Sequence, residues 1–190
     1  MIKGIRKNVL ITGFPQVGKT TLIKKLSEEL SDLHPVGFYT EEIREEGIRK
    51  GFELISLDEK RGLLSHIGIN SPYRVGKYKV DVKGFEEFLE GIPFLNPETS
   101  LIIIDEIGKM ECFSHKFRRV INDIINSEKV FIATIALKGG GFIEEIKGRD
   151  DIKFFEMTKN NRGSLLSEIL SYGIRILDSL HADSNPGTLM

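Results

Sequence analysis

This chain's sequence predicts an α/β fold: a mostly parallel sheet with helices on both faces and an antiparallel strand extension. Three observations carry that expectation. A short apolar run, Asn8 to Thr12, leads into a glycine-bounded segment, Gly13 to Thr20, and then into a stretch with Leu22, Leu26 and Leu30 at helical spacing. From Leu101 onward, apolar runs alternate with helical patterns, as in sheets covered on both faces. Between these regions, from Glu42 to Val80, strand-like runs follow one another with turn residues and no helix between them.

The elements follow in order. Asn8 to Thr12 is a buried strand and Thr20 to Leu30 a helix. His34-Pro35 ends the helical pattern, because the residue before a proline is driven out of helical geometry, and Val36 to Thr40 reads as the second strand. Glu42 to Gly47 and Ile48 to Leu57 form a hairpin turning near Gly47, and Asp58 to Gly62 is a further turn. Val75 to Val80 reads as one more strand, before an amphipathic helix from Lys83 to Glu90 with Phe85, Phe88 and Leu89 on one face. Then come a strand at Leu101 to Asp105, a helix at Ser114 to Asn126 and a strand at Val130 to Ile135. A short helix at Phe142 to Lys147, a strand at Lys153 to Glu156 and a helix at Asn160 to Leu170 complete the pattern. Residues 1–172 are expected to form a single domain, and 173–190 a C-terminal extension whose polar end, from His181, frays.

A length of 190 residues suits one domain. The net charge of -1 supplies no basic balance, so no nucleic-acid partner is expected. The single cysteine, Cys112, rules out an intrachain disulfide and a multi-cysteine metal site, and it suits a reducing compartment, with the cytoplasm as the default. The basic-then-apolar start runs into Gly13 and Pro15 without a small-residue cleavage pattern, so it reads as the first strand and not a signal peptide. The run Val130 to Leu137 is too short to span a membrane. A soluble protein, monomeric or weakly homo-oligomeric, is the expectation.

Two motifs carry chemistry. Gly13-Phe14-Pro15-Gln16-Val17-Gly18-Lys19-Thr20 matches the phosphate-binding pattern G-x-x-x-x-G-K-[ST] between a strand and a helix. A loop bent by glycines can turn successive N–H groups inward, and the helix start adds its positive dipole end. Gly13 to Thr21 are therefore expected to bind nucleotide, with Lys19 reaching the β- and γ-phosphates and the Thr20 hydroxyl taking a position on Mg²⁺. The second motif, Leu101-Ile-Ile-Ile-Asp105-Glu106, has the form of a Walker B strand. Asp105 would hold Mg²⁺ opposite Thr20 at the carboxyl end of the sheet. Glu106 would accept a hydrogen bond from water aligned on the γ-phosphorus.

Further residues have two readings each. Lys109 can reach the γ-phosphate or Glu111 as a catalytic cation, or stand exposed in a loop. Arg44 and Arg49 flank the hairpin turn and are arginine-finger candidates, in cis or across a dimer, or simply solvated. Arg162 can stack on a base of any identity, or lie on the surface beside a helix capped by Asn160 or Asn161. Cys112 has no base beside it in sequence, and His34, His66, His115 and His181 lack ligand spacing, so neither type is assigned a role.

The chain resembles the P-loop nucleoside-triphosphatases first named from thermophiles, which include a cancer-related eukaryotic member. The stretches that carry the resemblance are Ile11 to Thr21, Gly37 to Arg44, Arg49 to Phe52, Val75 to Tyr78, Ile104 to Glu111 and Thr158 to Arg162. It extends to about Leu170. The resemblance implies a RecA-like core and slow, Mg²⁺-dependent hydrolysis of ATP, GTP, CTP and UTP to the diphosphates. Two rival readings use the same loop. A small-molecule or nucleotide kinase would need an acceptor pocket, and a nucleotide-dependent switch or assembly factor would need a partner.

Overall fold

The structure, a computed structural model, describes residues 6–184, with side chains through residue 179. Its first strand, β1 (Asn8–Gly13), is buried on both faces, which is why Val9, Leu10 and Ile11 follow one another as apolar residues and do not alternate. The helix α1 (Lys19–Glu29) follows the glycine loop. Next come β2 (Val36–Glu45), β3 (Ile48–Ser56), β4 (Arg61–His66), the short pair β5 (Arg74–Val75) and β6 (Tyr78–Val80), and α2 (Val82–Glu90). The remainder alternates: β7 (Leu101–Ile107), α3 (His115–Asn126), β8 (Val130–Ile135), α4 (Phe142–Lys147), β9 (Ile152–Met157) and α5 (Leu165–Ser184).

All nine strands form one sheet in the order β5-β6-β4-β3-β2-β7-β8-β1-β9. The five from β2 to β9 in that order run parallel, and the other four are added antiparallel at the β2 side. Asn8 is in register with both Phe131 and Ile152, so β1 lies between β8 and β9. Successive side chains on β1 go to opposite faces. Leu10 joins Phe38, Phe85, Phe117 and Ile121 on one side, while Val9 and Ile11 join Leu22, Leu26, Leu165 and Ile169 on the other. Phe38 sits edge-on to Phe85 and Phe88, each at 5.8 Å between ring centroids, which ties β2 to α2.

Local sequence explains most boundaries. Asp81 caps α2 by accepting from the Gly84 N–H at 3.0 Å, and Ser114 caps α3 by accepting from the Phe117 N–H at 2.9 Å. The Ser114 hydroxyl also donates to Glu86 at 2.7 Å, so the cap of α3 is bonded to α2.

Four details differ from expectation. β4 was not anticipated, because only Leu63 and Leu64 are apolar in it and its order comes from pairing with β3 and β6. The single strand expected at Val75 to Val80 is instead a tight hairpin turning at Gly76, whose φ of 59° suits glycine. β7 extends past Asp105 to Ile107, where it pairs with Ile135. The last helix starts at Leu165, not Asn160, and continues beyond Leu170 to Ser184. The delay has a cause: the Asn161 side chain accepts from the Thr158 N–H and donates to the Glu156 carbonyl, both at 2.8 Å, which holds the preceding residues in turns. The expected fraying of the polar end concerns residues that lie largely outside the described ones.

Candidate active site

The glycine loop leaves β1 with Gly13 packed so closely on β9 that a Cβ there would stand 2.5 Å from the Met157 carbonyl oxygen. Gln16 (φ 64°) and Gly18 (φ 110°) then reverse the backbone into α1. Val17 N–H bonds to the Phe14 carbonyl at 3.3 Å. The Lys19, Thr20 and Thr21 N–H groups, in the first turn of α1, have no backbone acceptor among the described residues. That turn contains no acidic residue, so its dipole faces no counter-charge of its own. A row of donors without partners at a helix start is what a phosphate requires.

Lys19 is buried. Its ammonium donates to the Gly13 carbonyl at 3.2 Å and lies 3.7 Å from Glu106 Oε2. The end of β7 supplies the carboxylates, joined by a cis Asp105–Glu106 peptide. Asp105, 2% exposed, accepts from the Thr20 hydroxyl at 2.6 Å and from the Thr134 hydroxyl at 2.5 Å. Burial pushes its carboxyl above the usual range, and these hydroxyls with Lys19 pull it back. Burial also raises Glu106, opposed by Lys19 and reinforced by Asp105.

A third carboxyl completes the group. Glu111, 5% exposed, lies in the 3-10 turn after β7, and burial followed by Glu106 pushes it up to about 8. It and Glu106 converge on Gly108, where a Cβ would stand 2.7 Å from Glu111 Oε2 and 2.9 Å from Glu106 Oε1. These groups border a cleft of about 830 Å³ whose other wall is formed by β2, through Thr40 and Glu42, and by the antiparallel extension, through Arg49, Phe52, Leu64 and Val75.

Among the described residues, no three His, Cys, Asp or Glu side chains gather to hold a metal. The Thr20 hydroxyl and the Asp105 carboxylate are hard oxygen donors, the type that Mg²⁺ takes when phosphates and water complete its coordination. The residues present fit such an ion bound together with nucleotide.

Comparison with known proteins decides the family. A profile described as NTPase matches residues 8–170. The chain belongs to this NTPase family. It is 53% identical over 164 residues to the nucleoside-triphosphatase THEP1 of Thermotoga sp. strain RQ2, covering 86% of this chain and 93% of that one. It is 41% identical over 183 residues to the human cancer-related nucleoside-triphosphatase, covering 87% and 95%. The crystal structure of THEP1 from Aquifex aeolicus superposes with a TM-score of 0.74 at 37% identity, covering 86% of this chain and 97% of that one. The solution structure of the human protein gives 0.75 at 40% identity, covering 86% and 95%. The P-loop type of α/β fold is thus shared.

In this NTPase the structure gathers most of the residues that the sequence singles out. Gly13, Phe14, Pro15, Gln16, Gly18, Lys19, Thr20, Thr21, Asp105, Glu106 and Lys109 border one cleft. Lys109 stands exposed at its lip, and Phe14 projects there, 67% exposed. Val17 is different, since its side chain is buried in the core beside Leu22 and only its backbone belongs to the loop. Arg162 is exposed in the turns after β9 and is not among the cleft-lining residues. Arg44 is also outside, bonded to Glu42 and to the Gly47 carbonyl, whereas Arg49 is inside.

Sequence reasoning missed Thr134 and Glu111 as site members. Each had a signal. Thr134 is the one hydroxyl in an otherwise apolar strand, and Glu111 is a lone carboxyl between Met110 and Cys112-Phe113. Burial, with Glu111 beside it, pushes the Cys112 thiol up to about 12, which disfavours the thiolate that a nucleophile needs.

Proposed function

We propose that this NTPase hydrolyses nucleoside triphosphates to the diphosphate and phosphate, with Mg²⁺ and with little discrimination between bases. The observation that carries this is the placing of Glu106. It follows the buried Asp105 directly, lies 3.7 Å from Lys19, and faces the same cleft as the loop donors. Held by Thr20 and Asp105, a bound Mg²⁺ would neutralise charge on the phosphate oxygens.

The protein's own groups do the rest. The N–H groups of Lys19 to Thr21 and the Lys19 ammonium bind and orient the β- and γ-phosphates. Glu106 accepts a proton from water, the water oxygen forms a bond to the γ-phosphorus, and the bond to the β–γ bridging oxygen breaks with its electron pair left on the diphosphate. Lys109 at the lip adds positive charge near the departing group. Base breadth is supported by residues 158–162, Thr-Lys-Asn-Asn-Arg, which lack an Asn-Lys-x-Asp base-reading sequence. Arg162 in that segment would stack on a base projecting from the cleft, beside the β9 end that pairs with Gly13. The lone, protonated Cys112 fits action in the reducing cytoplasm.

The test is phosphate release from ATP, GTP, CTP and UTP with Mg²⁺, comparing the wild type with Glu106→Gln. Turnover on several bases, reduced in the variant by about 10² to 10⁴ with nucleotide affinity retained, is expected. Full turnover in the variant would remove Glu106 from the chemistry. Absence of turnover in the wild type would overturn the triphosphatase reading itself.

A further inference from the structure

Arg49 borders the same cleft as Lys19 and Glu106, but it comes from the other side. In the sheet, β1 with its loop lies two places from β7, across β8, while β3 lies two places from β7 in the opposite direction, across β2. Phosphates that run from the loop toward Glu106 therefore end facing β3. Arg49 is the one arginine among the described residues that line the cleft.

Its guanidinium is held in place. Nε donates to the Tyr78 hydroxyl at 2.8 Å and Nη1 to Glu42 Oε1 at 2.6 Å. The guanidinium carbon lies 5.1 Å from the Phe52 ring centroid and 5.3 Å from that of Tyr78. Partial desolvation opposes charge on Glu42, yet hydrogen bonds from Arg49 and Arg44 hold its carboxyl below the usual range, so the anchor stays ionised. An arginine has five N–H donors. The two contacts use one on Nε and one on Nη1, and the rest, including both on Nη2, have no protein acceptor among the described residues. A cation anchored through Nε and Nη1, with both N–H groups of Nη2 unbonded and the residue lining the phosphate cleft, is already organised for charge that develops during reaction.

We propose that Arg49 is a catalytic residue supplied in cis, whose unbonded N–H groups bind the terminal phosphoryl group from the side opposite Lys19, with Glu42 and Tyr78 as positioning residues. This rests on the triphosphatase reading above. As the γ-phosphorus loses its bond to the bridging oxygen and gains one to the water oxygen, negative charge gathers on its outer oxygens. The free N–H groups of Nη2 meet that charge without the guanidinium having to reorganise. Arg44, bonded to Glu42 from outside the cleft, strengthens the anchor and does not touch substrate.

The experiment measures kcat and KM for Mg-ATP, together with capture of Mg-ADP by aluminium fluoride, in the wild type, Arg49→Ala, Arg49→Lys, Glu42→Gln and the Glu42→Gln/Arg49→Ala double variant. Arg49→Ala should lower kcat on the order of 10³-fold with KM changed by less than about threefold, and should lose the aluminium fluoride complex. Arg49→Lys keeps the charge without the fork and should recover under about a tenth of the loss. Glu42→Gln should lower kcat by a smaller factor, and the double variant should be no slower than Arg49→Ala, since Glu42 acts through Arg49.

Wild-type turnover with Arg49→Ala within about threefold of it and aluminium fluoride capture intact would overturn the proposal and leave the triphosphatase reading standing. If Arg49→Ala does not fold, a folded Arg49→Lys with full kcat overturns it equally. A wild type that binds nucleotide without turnover removes the underlying reading, and the proposal falls with it.

Discussion

Glu111→Gln is expected to remove the contribution of this carboxyl to the fall in stability that the wild-type protein undergoes as pH rises from about 4.5 to about 8. In the unfolded chain this carboxyl ionises near its ordinary value of 4.5, whereas in the folded protein burial and then Glu106 keep it protonated up to about 8. Between those values the folded state holds a proton that the unfolded state has released. The contribution to stability is therefore full below 4.5 and is lost as pH climbs through the folded value. At about 1.4 kcal/mol per pH unit the gap corresponds to about 5 kcal/mol. Glutamine copies the shape of the neutral acid and cannot ionise, so the variant carries no such loss. Urea midpoints at about pH 5, 7 and 9, without nucleotide or divalent cation, make the comparison. The two proteins should be nearly equal in acid, and the variant should lead by several kcal/mol at high pH with an unchanged slope on denaturant. A stability difference that is the same at all three values would show that Glu111 titrates as an ordinary carboxyl, and the account of this corner of the cleft would be wrong.

Two other substitutions probe the same corner. Gly108→Ala places a methyl 2.7 Å from Glu111 Oε2 and 2.9 Å from Glu106 Oε1, so the carboxylates must move apart; kcat should fall at least about tenfold while ADP affinity, measured by calorimetry, stays near wild type. Thr134→Val removes one of the two hydroxyls bonded to Asp105, which should cost about 1.5–3 kcal/mol in urea denaturation. The same variant should raise the Mg²⁺ concentration needed for half-maximal turnover, because the carboxylate loses a donor that fixes its rotamer.

The parts of the site that could be read in the sequence are those written in consecutive residues. Gly13 to Thr20 and Leu101 to Glu106 each combine a strand with the group at its end, so spacing alone brings Lys19, Asp105 and Glu106 to one edge of the sheet. Glu111 was not legible as a partner of Glu106, because their approach depends on the turn at Gly108 and on burial by elements far along the chain. The distinction between Arg44 and Arg49 was equally out of reach. A register shift in β2 between Ile43 and Arg44 interrupts simple alternation across the hairpin, and Tyr78, which anchors Arg49, is 29 residues away. β4 escaped notice because two leucines make too short an apolar run to outweigh the turn residues around them, while pairing on both edges supplies the order that local preference lacks. The late start of α5 reflects side-chain bonds from Asn161 that compete with helix formation at the sequence-favoured position.

The two walls of the cleft have different genealogies in the chain. The wall with the glycine loop is assembled from strands distant in sequence, brought side by side through crossovers that cannot be rearranged without rethreading the sheet. The wall with Arg49 is drawn from consecutive strands that leave the parallel sheet at β2 and fold back by short connections, ending at Val80. Changes at the exposed turns within residues 46–80 that keep the buried Leu54, Leu64 and Val80 therefore alter what faces the terminal phosphate while leaving the phosphate grip as it is. A lineage, or an engineer, can vary the side of the cleft that meets the outgoing phosphoryl group as a cassette, with the nucleotide-holding half conserved in form.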